Sequence, residues 1–167
     1  LTSALKNFAN EIQADYRASL TTNGYYLDRD FVRALDELAI KHVQVTFDGD
    51  REAHDKLRKK RNGQGSFDTL VRNVETFHEV SPACQFAIRV NCCDSNLNSI
   101  PMFLNRFSAD IRARTRIFFR WVWANEASEY KKFSSEQTSN EPYKALGDLY
   151  SMARSLGWQA ENPHENH

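Results

Sequence analysis

An α/β fold on a parallel sheet is what this sequence predicts, and three observations predict it. Hydrophobic spacing along the 167 residues switches repeatedly between a helical period and short β-branched or aromatic runs. The resulting order is α-β-α-β-α-β-α-β-α, and strands separated by helical crossovers pair in parallel with right-handed connections. The C-terminal ends of the four strand segments, TTNG (21–24), TFDGD (46–50), RVNCCD (89–94) and RWVWANE (120–126), carry polar or unusual side chains. Ligands of parallel sheets and barrels bind at such ends. A closed eight-unit barrel takes about 250 residues. Four units therefore read as a small open sheet or as part of a barrel lacking its first units.

Each element has a local cause. Leu1, Ala4, Leu5, Phe8 and Ile12 fall on one face of a helix over residues 1–13. YRASLTTNG (16–24) reads as a strand closed by an Asn-Gly turn. Asp28 is the expected N-cap of a helix whose buried stripe is Phe31, Leu35 and Leu38. HVQVTF (42–47) is the second strand, followed by a charged loop. Ser66 or Asp68 can cap the next helix, which runs to about Val80 with Phe67, Leu70, Val71, Val74 and Phe77 inward, and Pro82 closes it. QFAIRVNCC (85–93) is the third strand, and IPMFLNRFSADIR a helix that tolerates Pro101 in its first turn. TRIFFRWVWA (115–124) is dense enough in apolar side chains to predict burial on both faces. The polar stretch 125–141 is long for a loop in a compact domain, which hints at function. A last helix starts at Pro142 and is ended by Gly157.

Composition excludes several classes. Lys plus Arg equals Asp plus Glu at 22 each, so no overall positive field favours nucleic acid or an anionic membrane. No apolar run approaches the ~20 residues of a membrane span. Cys84, Cys92 and Cys93 have neither a disulfide framework's spacing nor a CxxC pair, which points to a reducing, cytoplasmic setting and to no metal site built from these three alone. The start at Leu1 and the polar end ENPHENH lead us to expect a piece of a longer protein.

TFDGDREAHD packs Asp48, Asp50, Glu52, His54 and Asp55 into ten residues just past a strand. One reading is a divalent-metal hydrolase using Asp48, Asp50, His54 and Asp55, since carboxylates with an imidazole suit Mn or Zn. A second is a ligand-contacting strand end, and a third a solvated loop. A non-catalytic peptide-binding module is a further alternative for the whole chain.

The strand ends also carry a resemblance. TTNGYYLD, VQVTFDGDREAHDKLR, GQGSFDTLVRNVE and FAIRVNCCDSN occur in the order and spacing of the central part of a radical S-adenosylmethionine (SAM) enzyme. Over residues 16–97 the chain resembles the sulfatase-maturase, peptide-modifying (SPASM-type) branch, with Thr46 in place of a usual Ser and Asp50 where Pro is common. The resemblance implies a three-quarter (β/α)6 barrel, SAM and a 4Fe–4S cluster. It also implies a 5′-deoxyadenosyl radical that abstracts hydrogen from a peptide or protein substrate inside a water-poor barrel. The family's CxxxCxxC and Gly-Gly-Glu motifs would lie before Leu1, and its Cys-rich C-terminal extension is absent. Residues 1–167 are therefore expected to form a single domain, the C-terminal part of the barrel, with no cofactor bound and no SAM cleavage by itself.

Carried onto this chain, the resemblance implies SAM contacts from Thr46, Arg58, Thr21, Asn23, Asp48 and Asn91, and substrate contacts from Arg120, Trp121 and Glu126. No residue is assigned a catalytic role or a metal. Bland readings stand beside these. Thr46 also suits a strand, KLRKKR (56–61) a solvated face and Asn-Gly a plain turn. Asp48 suits a loop brace, as do His54 and Asp55, and Trp121 and Trp123 a buried aromatic strand. Cys92 and Cys93 suit small core hydrophobes. The first strand would lack a neighbour, and an unpaired edge predicts self-association of the isolated chain.

Overall fold

The computed structural model describes residues 2–60, 62–80, 84–122 and 141–162. Its elements are α1 (Thr2–Glu11), β1 (Ala18–Thr22), α2 (Arg29–Glu37), β2 (Ile40–Phe47), α3 (Arg51–Leu57), α4 (Phe67–Val80) and β3 (Gln85–Cys92). A 3-10 turn (Leu97–Ser99), α5 (Ile100–Leu104), α6 (Ala109–Arg114), β4 (Thr115–Trp121) and α7 (Glu141–Ser155) complete them. All three strand pairings are parallel, and the strand order is β1-β2-β3-β4. Sequential order means every crossover steps the same way. Right-handed crossovers then put every crossover helix on one face, which is how a barrel wall is built and how a doubly wound sheet is not. The predicted partial barrel is the observed fold.

That face holds the core. Val43, Val45 and Phe47 of β2, Phe86, Ile88 and Val90 of β3, and Ile117 and Phe119 of β4 are buried against α4, α5 and α7. Phe47 sits among Phe67, Phe103 and Phe107, with ring centroids 4.9–6.2 Å away. The alternate residues point to the opposite face, where Gln44 and Thr46, Ala87 and Arg89, and Arg116, Phe118 and Arg120 line up in register.

Four expectations need correction. β4 is not buried on both faces. Its burial alternates, with Arg116 and Arg120 exposed, because the inner face has no covering layer among the described residues. The buried stripe of α2 is Val32 and Leu35, while Phe31 is 43% exposed. The charged loop after β2 contains a helix, α3, whose N-cap Asp50 accepts from the Ala53 amide at 3.0 Å. The helix expected across IPMFLNRFSADIR is two helices, because Ser108 caps a fresh start by accepting from the Ile111 amide at 3.4 Å. The long polar stretch 125–141 falls almost wholly outside the described residues.

The two ends of the sheet differ. Beside β4, Gln159 exchanges backbone hydrogen bonds with Thr115 and Ile117, and the Tyr150 hydroxyl accepts from the Phe119 amide at 3.1 Å. β1 ends the sheet with no strand beyond it among the described residues. On α1, the expected apolar stripe is present but Leu5, Phe8 and Ile12 are 50%, 57% and 57% exposed.

Candidate functional site

The C-terminal ends of β1, β2 and β3 form one polar rim, and Asp48 is its hub. Its side chain is fully buried. One carboxylate oxygen accepts from Asn91 Nδ2 at 2.9 Å and the other from Arg58 Nε. Its carbonyl accepts from Asn96 Nδ2 at 3.1 Å. Asn96 also donates to the Asn91 carbonyl (2.9 Å) and accepts from the Cys93 amide (2.8 Å), which ties the ends of β2 and β3 together. Gly49 has φ +100, and a Cβ there would collide with Ser99 Oγ, so the turn after Asp48 requires glycine.

His54 carries the same argument one layer back. The Asp48 amide donates to His54 Nδ1 at 3.3 Å, so that nitrogen is unprotonated and the proton sits on Nε2. Nε2 then donates to Ser66 Oγ at 3.1 Å, and Ser66 Oγ donates to the Arg58 carbonyl at 3.0 Å. The relay Asp48–His54–Ser66–Arg58 fixes both ends of the ion pair. Burial pushes the His54 pKa down to about 4, against the pull of Asp48, so the ring is neutral near pH 7. Asp55 accepts from the Ser66 and Phe67 amides at 2.8 and 2.9 Å and thereby caps α4, a role the sequence suggested for Ser66 or Asp68. A Cβ on Gly65 would collide with Asp55, which accounts for that glycine.

This geometry sorts the candidates. Asp50, His54 and Asp55 each have separate structural tasks, and no group of three metal-ligating side chains occurs among the described residues. The metal-hydrolase reading is not favoured. Arg58, whose side chain is 33% exposed, reaches a cleft of about 600 Å³ lined also by Asn23, Tyr25, Tyr26 and Lys60. Lys60 Nζ lies 5.2 Å from the Tyr25 ring centroid. Asn23 is exposed and its Oδ1 accepts from the Tyr25 amide at 3.1 Å, the Asx-turn that Asn-Gly promises. Asn73 of α4 holds that turn through the carbonyls of Gly24 and Tyr25. Thr46 and Thr21 lie on the inner face of the sheet, Thr46 partnered by Arg89 and Thr21 by Gln44. Asn91 is buried between Asp48 and Arg89, whose Nε donates to its Oδ1 at 2.9 Å. Arg120 and Trp121, at the end of β4, are the Cα partners of Asn91 and Cys92, so they continue this rim onto the fourth strand. Glu126 and Trp123 fall outside the described residues.

Sequence reasoning missed Asn96, Ser66's relay and Arg89. The signal for Arg89 was present. QFAIRVN alternates, so Ala87, Arg89 and Asn91 had to share a face.

The cysteines do not suit a cluster. All three are free and buried, and burial raises the Cys84 thiol to about 11 and the Cys92 thiol further still, the reverse of what thiolate ligands need.

Comparison with known proteins agrees with the fold. A 29% identical relative over 133 residues is the Fe-coproporphyrin III synthase of Methanosarcina barkeri (strain Fusaro / DSM 804), matched over 80% of this chain and 31% of its own length. The solved structure of anSMEcpe, an anaerobic sulfatase-maturating enzyme, with bound AdoMet superposes with a TM-score of 0.68 at 19% identity, over 95% of this chain and 43% of that one. A second structure of it, with AdoMet and a peptide, gives 0.65 at 20% identity over 89% and 40%. The chain thus spans less than half the length of each of these proteins. The family model for the Radical SAM superfamily matches residues 2–89, and the chain belongs to that superfamily.

Proposed function

We propose that this chain forms the C-terminal units of the barrel of a radical SAM enzyme, in a cytoplasmic, reducing setting, and that the enzyme abstracts hydrogen from a peptide or protein side chain. The observation that supports it best is that Asn23 and the Asp48-oriented Arg58 line one cleft at the C-terminal strand ends, with Thr46 two residues before Asp48 on β2. Bound SAM, reductively cleaved, supplies the carbon radical that takes the hydrogen atom. In this reading the Arg58 guanidinium forks onto the SAM carboxylate, and the Thr46 hydroxyl and the Asn23 amide hold polar atoms of SAM. Asp48 acts through Arg58, since its own oxygens are engaged. Asn91 acts through Asp48, and Thr21 lies deeper along the same face.

The peptide substrate is supported by the peptide-bound structure of the sulfatase-maturating neighbour. A tetrapyrrole acid is a second reading, favoured by the curated relative named for coproporphyrin. Arg120, Trp121 and Glu126 are the substrate contacts in either case.

The test is 5′-deoxyadenosine formation by the enzyme that contains this chain, under anaerobic reduction. Arg58→Gln is expected to raise the KM for SAM about tenfold or more. Reduced enzyme that makes no 5′-deoxyadenosine overturns the proposal. The 167-residue chain alone is expected to self-associate through β1, and a clean monomer by light scattering at high concentration counts against that.

A further inference from the structure

We infer that the inner face of β3 and β4 is a carboxylate clamp, and that the substrate presents at least two carboxylates to it. This rests on the reading above that the substrate lies against this side of the sheet. An open cleft of about 1150 Å³ runs along β4, and among its lining residues are Arg89, Arg116 and Arg120 of the inner face and Arg154 of α7, against one carboxylate, Glu161. The whole chain is balanced at 22 basic and 22 acidic residues, so the excess is local.

The sheet register makes the clustering unavoidable. Arg89 is the Cα partner of Phe118, which places Arg116 and Arg120, two residues either side of Phe118, as its diagonal neighbours on the same face. Glu161 is paired with Arg116 at 2.8 Å, and both groups are mostly exposed. Arg89 is held by the Asn91 side chain, itself fixed by Asp48, so its guanidinium is preorganised. Arg120 has no side-chain partner among the described residues. Like charges set side by side destabilise a fold by themselves. Planar guanidinium forks match carboxylate oxygens in pairs, which gives a clustered arrangement of this kind a ligand. Trp121, which alternates to the helix-packed face of β4, and Tyr143 of α7 line the same cleft at its edge.

The shared chemistry, several carboxylates on one ligand, can come from an acidic peptide segment or from a tetrapyrrole acid. The experiment titrates the enzyme that contains this chain, without SAM, with hexaglutamate and, separately, with coproporphyrin III, by calorimetry at two salt concentrations. The expected result is saturable binding of one or both probes, weaker at higher salt. Binding falls about tenfold or more in Arg89→Gln and in Arg120→Gln, is partly kept in Arg120→Lys, and is unchanged in Arg33→Gln, which lies on α2 away from the cleft. Binding of only one probe identifies the source of the carboxylates. Three results overturn the inference: no saturable binding of either probe at about 1 mM, affinities that the two cleft variants leave unchanged, or an equal loss in Arg33→Gln. None of these readouts needs SAM. Loss of carboxylate binding and loss of 5′-deoxyadenosine formation therefore report separately on this inference and on the proposed reaction.

Discussion

The two faces of the sheet are built from alternate residues of the same four strands, yet they solve opposite problems. One face packs Val45, Phe47, Ile88, Val90 and Ile117 against helices at 0–1% exposure. The other presents Thr46, Arg89, Arg116 and Arg120, and no helix covers it among the described residues. A strand that merely needed a wet side could use any polar residue. This face concentrates arginine in one cleft and fixes Arg89 through Asn91. The difference separates the face that holds the chain together from one whose arginines folding does not require.

The largest effect should come from the packed face. Phe47→Ala removes a fully buried ring from an aromatic cluster and should cost about 3–5 kcal/mol in urea denaturation. Asp48→Ala, at the rim between the faces, leaves Arg58 and Asn91 without their shared acceptor. It should cost about 3 kcal/mol, with Asp48→Asn milder if shape matters more than charge. An Asp48→Ala variant as stable as the wild type would remove Asp48 as the hub.

A smaller, graded effect is the pH dependence. His54 and His78 are both lowered to about 4, chiefly by burial, and their unfolded-state values lie near 6.5. The unfolded chain binds the protons first as pH falls. Stability is therefore full above about pH 6.5 and declines through the window down to about 4. His54→Gln should flatten the thermal-denaturation profile across that window. An unchanged slope would mean that the imidazole is not buried neutral. The smallest effect belongs to the inner face, where Arg120→Gln should change stability by no more than about 0.5 kcal/mol. A larger loss would make that face structural and erase the comparison.

Much of this was legible in the residues. The alternation of periods predicted parallel βα units, and Asp28, Pro142 and Gly157 marked helix ends that the structure keeps. The strand-end clusters pointed to the rim. The rim's internal logic was less legible, because it depends on contacts such as Asn91 to Asp48 and Asn96 to Asp48 that link residues more than forty positions apart. β4 misled for a physical reason. Phe118 and Trp121 raise its apolar density, and density overrode an alternation that Arg116 and Arg120 were already declaring. On α1, period predicted an apolar stripe correctly but could not say what it packs on.

We propose that the rim joining the two faces is where SAM is held. The most direct measurement is the KM for SAM of 5′-deoxyadenosine formation, compared between the wild-type enzyme and a Thr46→Val, Arg58→Gln double variant. The account predicts a KM raised by well over about tenfold with the fold intact by circular dichroism. An unchanged KM in a folded, active double variant would contradict it.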